Sequence, residues 1–192
     1  MEERFTPLFR GTLIDWQMAG TGRFNIISGQ ILESEGGPGV LWYTRATFAD
    51  FVLCVDWRLS SLEDNSGVYL RFPPLGRDDP EHDWRLADRQ GYEVQIDDRG
   101  YDPETQTFNS PLHLTGAIYK LAPALNHASR PVGEWNTFVI EAQGHRLSVT
   151  LNGELVSGLM TDDSRPLAGH IGLQTHHPGS RVQFRNIRIR EF

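Results

Sequence analysis

Cysteine and lysine each occur once in the 192-residue chain, as Cys54 and Lys120. A single thiol excludes an intramolecular disulfide and any zinc site built on cysteine pairs. Because Cys54 stands inside an apolar run, a buried inert thiol is expected. Positive charge is also scarce: 18 basic against 25 acidic residues leave a net charge of −7, the wrong sign for general attraction to phosphate backbones or anionic lipid. No run approaches the roughly 18 to 20 consecutive apolar residues of a membrane span. The start Met1-Glu2-Glu3-Arg4 leads into no apolar signal-peptide core. Neither nucleic acid nor membrane is therefore an expected partner, and the chain as written is expected in the cytoplasm; a secreted or periplasmic location would require that a leader had been trimmed. No Gly-x-Ser-x-Gly elbow and no nucleotide fingerprint occur, so serine hydrolase and dinucleotide chemistry have no candidates.

What is abundant is punctuation. Nineteen Gly and 11 Pro divide the chain into short segments that alternate apolar and polar residues, the period of a strand with one buried face. Phe51, Leu53, Val55, Trp57 and Leu59 fall on one face of such a segment, which should be core. Similar alternation runs through Thr137 to Ala142, Arg146 to Leu151, His170 to Thr175 and Val182 to Ile189. Asn152-Gly153, between Leu147-Val149-Leu151 and Leu155, is a two-residue hairpin signal, because both positions tolerate positive φ. Many short antiparallel strands over this length predict a single all-β domain spanning 1–192, a two-sheet antiparallel sandwich or jelly roll with one face of each sheet left free. Residues 73–90, 98–114 and 120–131 do not read as strand, and loops of that length in a compact domain are commonly functional rims.

Strand alternation also locates polar residues. In Gly91-Tyr92-Glu93-Val94-Gln95-Ile96-Asp97, Tyr92, Val94 and Ile96 point inward, so Glu93, Gln95 and Asp97 project together from the other face. Likewise Val68, Leu70 and Phe72 inward leave Asn65, Tyr69 and Arg71 opposite. Ile171, Leu173 and Thr175 alternate with Gln174 and His176, and Ile118 points away from Tyr119. If these strands are neighbours, one outer face gathers Arg71, Glu93, Gln95, Asp97, Tyr119, Gln174 and His176. Amides and paired carboxylates beside aromatic rings match the hydroxyls and apolar ring face of a sugar, so a carbohydrate-sized ligand is expected.

Other motifs carry less. His176-His177 would place its rings on opposite strand faces, which prevents both from holding one ion, so no metal site is assigned. Gly36-Gly37-Pro38-Gly39 lacks the Lys-Ser/Thr of a P-loop and is read as a turn. Asp78-Asp79-Pro80-Glu81-His82-Asp83 offers oxygen ligands for calcium but lacks EF-hand spacing, so it reads as an acidic solvated loop.

Phe9-Arg10-Gly11 with Leu13 and Trp16, Asn65-Ser66-Gly67-Val68-Tyr69-Leu70-Arg71, Gly91-Tyr92-Glu93-Val94-Gln95-Ile96-Asp97, Thr115-Gly116-Ala117-Ile118-Tyr119, Gly133-Glu134-Trp135-Asn136, Asn152-Gly153, Gly169-His170-Ile171-Gly172-Leu173-Gln174 and Phe184-Arg185-Asn186-Ile187 occur in an order that resembles the DUF1080 family, the 3-keto-disaccharide hydrolase domain. The resemblance implies a concanavalin A-like (LamG-like) jelly roll acting on glycosides already oxidised to a ketone at C3. Such a ketone acidifies the C2 hydrogen, so a base can form an enolate that expels the C1 substituent, and water adds to the resulting enone. That route needs a base, a group stabilising the enolate oxygen and an acid for the leaving oxygen. On this resemblance His176 or Glu93 is the base, Arg71 with Gln95 stabilises the enolate, Asp97 or Tyr119 donates a proton or binds substrate, and Asn65, Tyr69 and Gln174 bind the sugar. No cofactor is required, although a divalent ion such as calcium on these carboxylates could replace Arg71 as electrophile.

Two other readings remain. One is a retaining glycosidase using Glu93 and Asp97, although carboxylates four apart on a strand start about 13 Å apart while retaining chemistry wants roughly 5 Å. The other is a non-catalytic carbohydrate-binding module, since fold does not decide chemistry.

Overall fold

The computed structural model describes residues 4–76 and 83–192. Thirteen strands and one short helix follow in the order β1 (Thr6–Pro7), β2 (Trp16–Gly20), β3 (Arg23–Ser28), β4 (Ile31–Glu35), β5 (Gly39–Tyr43), β6 (Phe51–Leu59), β7 (Ser66–Phe72), α1 (Arg85–Gln90), β8 (Tyr92–Ile96), β9 (Asn136–Gln143), β10 (Arg146–Leu151), β11 (Glu154–Met160), β12 (His170–Thr175) and β13 (Val182–Glu191). They form two antiparallel sheets. The larger has the order β11-β10-β9-β6-β13-β4-β3 with β1 added along β13, and the smaller the order β2-β5-β12-β7-β8. Among the described residues no helix is long and apolar enough to cross a membrane.

The alternating residues make the core between the sheets. Phe51, Leu53, Val55, Trp57 and Leu59 of β6 are at most 2 % exposed and meet Val68, Leu70, Val94, Ile96, Ile171 and Leu173 of the smaller sheet in one cluster. Trp57 and Phe138 pack with ring centroids 5.4 Å apart. The Asn152-Gly153 turn joins β10 to β11 with φ of 53° and 92°, both in the left-handed region that this dipeptide accepts. Asn152 does more than turn: its side-chain amide donates to Ala128 O (2.7 Å) and Asn136 Oδ1 (2.8 Å), and its Oδ1 accepts from Thr137 N (3.0 Å).

Two features position the functional face. The free edge of β8 is covered by residues 115–119, with Gln95 N donating to Ala117 O (3.0 Å), Gly116 N to Gln95 O (2.9 Å) and Tyr119 N to Glu93 O (2.8 Å). This satisfies an edge that would otherwise expose a row of unpaired backbone groups. The second is α1, an element that an all-β reading of residues 73–90 does not include. Arg85-Leu86-Ala87-Asp88-Arg89-Gln90 are adequate helix formers. Fully buried Ala87 packs with Ala19, Val40, Trp42, Tyr69, Phe72 and Leu75 on the outer side of the smaller sheet. At its C-terminus the Arg165 guanidinium donates to Asp88 O (3.0 Å) and to Gly91 O, a favourable place for a cation.

Candidate functional site

The strands of the smaller sheet alternate as their sequences require, so the residues opposite the core line a cleft on its outer face. The cleft has a volume of about 350 Å³ and is lined by Asn65, Tyr69, Glu93, Gln95, Tyr119, Gln174 and His176, together with Pro38, Trp84, Asp88, Tyr101, Pro103 and Thr175. That volume falls at the lower end of the roughly 300–1,000 Å³ usual for small-molecule sites.

Glu93 is the centre of the floor. It pairs directly with Tyr69 across β7 and β8, and Gln95 pairs with Gly67. A Cβ on Gly67 would stand 2.2 Å from Glu93 Oε1 and 2.8 Å from its Cγ, so the missing side chain is what lets the carboxyl lie across β7. There it is 5 % exposed, beside the hydrogen-bonding groups of Tyr69 and Gln174, which favour its ionised form. Gln174 Nε2 also donates to Tyr69 Oη at 2.6 Å. With its amide nitrogen turned toward Glu93, Gln95 donates to Glu93 Oε1 at 3.1 Å and to Ser66 O at 3.2 Å. Burial pushes the Glu93 carboxyl up from 4.5 to about 8, the charge of Asp88 adds to this, and the Tyr69 and Gln174 hydrogen bonds only partly oppose it. Burial and then the Glu93 carboxylate push the Tyr69 hydroxyl well above its ordinary value.

At the rim, His176 and His177 face each other Nδ1 to Nδ1 at 2.9 Å, so one ring donates and the other accepts. His176 keeps an exposed edge toward the cleft, yet its surroundings hold its pKa below the ordinary imidazole value, first by burial against the cleft wall and then through His177 and Arg99. The opposite-face expectation for this pair fails because β12 ends at Thr175 and strand alternation ends with it. Tyr119 is half-buried, edge-on to His113 with ring centroids 5.0 Å apart, and burial raises its pKa.

The chain matches the 3-keto-alpha-glucoside-1,2-lyase-like domain over residues 4–190. It belongs to that family. A 3-keto-disaccharide hydrolase of Bacteroides thetaiotaomicron is 24% identical over 188 residues, covering 82% of this chain and 64% of the relative, so the chain spans less than two thirds of that protein's length. A candidate glycosyl hydrolase of Parabacteroides distasonis shares the fold with a TM-score of 0.78 at 20% identity, over 98% of this chain and 94% of that one. The carbohydrate binding module CBM66 of Bacillus subtilis shares it with a TM-score of 0.59 at 15% identity, over 92% and 96% of the two chains.

In this member of the 3-keto-alpha-glucoside-1,2-lyase-like family two residues placed on the outer face by alternation lie elsewhere. Arg71 is the first correction. His170 pairs with Phe72 and Ile171 with Leu70, leaving Arg71 as the extra residue of a bulge with φ of 54°. A bulge of this kind reverses the side-chain sequence beyond it. Phe72 therefore joins Tyr69 on the outer face. Arg71, fully buried, ties together the loops at the sandwich end by donating to Ala49 O (3.0 and 2.6 Å) and Gly144 O (2.8 Å), with Asp50 Oδ1 at 3.4 Å. It does not reach the cleft.

Asp97 is the second correction. It follows the last residue of β8 and is fully buried beneath the next turn. Its carboxylate accepts from Arg99 N (3.0 Å), Tyr101 N (3.2 Å) and Asn65 Nδ2 (3.1 Å). It shapes the rim and does not line it. Among the described residues no three His, Cys, Asp or Glu side chains gather to hold a metal ion, and Glu93 and Asp97, offered for that purpose by the sequence, serve different places. The acidic run 78–83 lies outside the described residues apart from Asp83. Alternation misses Trp84, Asp88, Tyr101 and Pro103. They stand in the two long segments read as rims, where no strand period marks individual residues.

Proposed function

We propose that this chain cleaves glycosides carrying a ketone at C3, by removal of the C2 proton, departure of the C1 substituent and addition of water to the enone. The observation that carries the reading is the Glu93 carboxyl, buried on the floor of a sugar-sized cleft with its pKa at about 8. Removing a proton from carbon demands a strong base. At pH 7 a carboxyl titrating near 8 is only about one-tenth ionised, but with a Brønsted exponent of about 0.5 its added basicity is worth roughly 50-fold over an ordinary carboxylate, so it gains about fivefold net. His176, held below its ordinary range, is the weaker base and is uncharged at neutral pH.

The roles divide accordingly. Glu93 takes the C2 proton and returns it to the C1 oxygen once that oxygen has departed. Tyr119 donates a hydrogen bond to the enolate oxygen in the place expected of Arg71. His176 accepts a proton from the water that adds at C1 and returns it to C2, so the sugar regains its hydrogen and the leaving group departs as an alcohol. The family match and the curated 3-keto-disaccharide hydrolase relative support the substrate class. The retaining-glycosidase reading is weaker, because Asp97, its second carboxylate, is used under the rim turn.

The test is turnover of p-nitrophenyl 3-keto-glucoside against the unoxidised glucoside. Release from the first alone, abolished in Glu93→Gln, is the expected result. Cleavage of the unoxidised glucoside would overturn the keto mechanism. Sugar binding without turnover would establish a binding module instead, the second reading, which the similarity to CBM66 favours.

A further inference from the structure

The described lining of the cleft offers acids but no arginine or lysine, in a chain holding 17 Arg. Apart from tyrosines, its ionisable side chains are Asp88, Glu93 and His176. Two cations beside the lining are paired with acids outside it: Lys120 Nζ lies 2.5 Å from Glu104 and Arg99 Nε 3.6 Å from Asp97. Among the described residues Asp88 has no such partner. Its backbone carbonyl is held by Arg165, while among the described residues its carboxylate makes no ion pair or side-chain hydrogen bond. The unpaired amide atoms of the floor are also acceptors: Asn65 Oδ1 and Gln174 Oε1 have no hydrogen-bond partner, and both residues are 7 % exposed. Buried acceptors without donors are costly, and sugar hydroxyls are donors that would satisfy them. A carboxylate, sulfate or phosphate on the sugar would bring only more acceptors and a like charge.

We infer that Asp88 is a specificity-determining residue, binding hydroxyls of an uncharged 3-keto-glycoside and rejecting acidic sugars such as uronides. This rests on the proposed function for the sugar class, but the discrimination itself is a property of the cleft. Among the described residues, the titratable groups that line the cleft with Glu93 are Asp88 from α1, Tyr69 from β7, Tyr101 and Tyr119 from the segments after β8, and His176 beyond β12. Asp88 is the carboxylate among these without a paired cation, so the like-charge penalty on an acidic ligand falls mainly on it once Glu93 is neutral.

Glu93→Gln protein, which removes turnover and the Glu93 charge together, isolates that contribution. Calorimetric binding of methyl 3-keto-glucoside and of the matching 3-keto-glucuronide is measured on Glu93→Gln and on Glu93→Gln with Asp88→Asn. At least about tenfold preference for the neutral sugar is expected in the first, closing to within about threefold in the second, as expected for loss of one nearby like charge. The preference should also weaken as salt is raised. Equal binding of the two sugars by Glu93→Gln, or a preference unchanged by Asp88→Asn, overturns the inference. Absence of binding by either sugar overturns it together with the functional reading. Wild-type protein that discriminates in binding but turns over neither sugar sinks the hydrolase reading and leaves this inference standing.

Discussion

Glu93→Gln should make the protein more stable, by an amount that depends on pH. The folded carboxyl titrates near 8 against an ordinary 4.5. Below pH 4.5 both states hold the proton and burial of the neutral acid carries no ionisation penalty. As pH rises through the interval, the unfolded chain ionises first and folding must keep the group protonated, so stability is lost until the folded form ionises as well. Each unit of separation is worth about 1.4 kcal/mol. The loss is therefore roughly 3 kcal/mol at pH 7 and roughly 5 kcal/mol above pH 9, a substantial part of an ordinary net stability of about 5–15 kcal/mol. Glutamine keeps the shape and the neutral hydrogen-bonding character without titrating. The variant should match wild type near pH 4 and exceed it by about 2–4 kcal/mol at pH 7, or roughly 5–15 °C in Tm for a chain of this size. Urea unfolding of both proteins from pH 4 to 9 reads this directly. Parallel curves across that range would show that Glu93 ionises as it does in the unfolded chain, and the burial argument for its basicity would fall with them.

Other expectations follow from the same geometry. Gly67→Ala puts a methyl group where Glu93 Oε1 lies, so kcat on the keto-glycoside should fall about 100-fold, a loss consistent with a misplaced reacting group; unchanged kcat would mean that the carboxyl does not work from its seat on β7. Arg71→Met leaves Ala49 O, Gly144 O and Asp50 without their cation and should cost about 3–5 kcal/mol in urea unfolding, with kcat/KM nearly unchanged in the protein that remains folded; a large loss of kcat/KM would return Arg71 to the site. The pH profile of kcat/KM should rise with pH to a plateau with a midpoint near 8, because the Glu93 base acts when ionised; a midpoint near 4.5 would contradict its burial.

Glu93, Gln95, Tyr69 and Gln174 were legible because they sit within regular strands whose inward neighbours are unmistakably apolar, so one period fixes both faces. The same rule misplaces Arg71. A bulge inserts one residue without leaving a mark in composition, and Arg71 is not a residue type that announces a positive φ. Asp97 and the His176-His177 pair lie just past their strands, where alternation has ended. The helix carrying Asp88 is six residues long, too short to show a helical period, and it is held by packing on Tyr69 and Phe72, not by its own propensity.

By itself, the sequence determined the all-β sandwich, the absence of disulfides, the buried face of each central strand and the polar character of one outer face, all consequences of side-chain period and turn chemistry acting over a few residues. Tertiary structure decided the rest. Which polar residues meet depends on strand order, on a bulge and on loops folded back over a sheet edge, and these bring Asp88, Glu93 and Tyr119 together from three separate segments. The unusual basicity of Glu93 is likewise tertiary: it arises from the empty space above Gly67, the protein packed around the carboxyl and the charge of a residue on another element, none of which is a property of the glutamate itself.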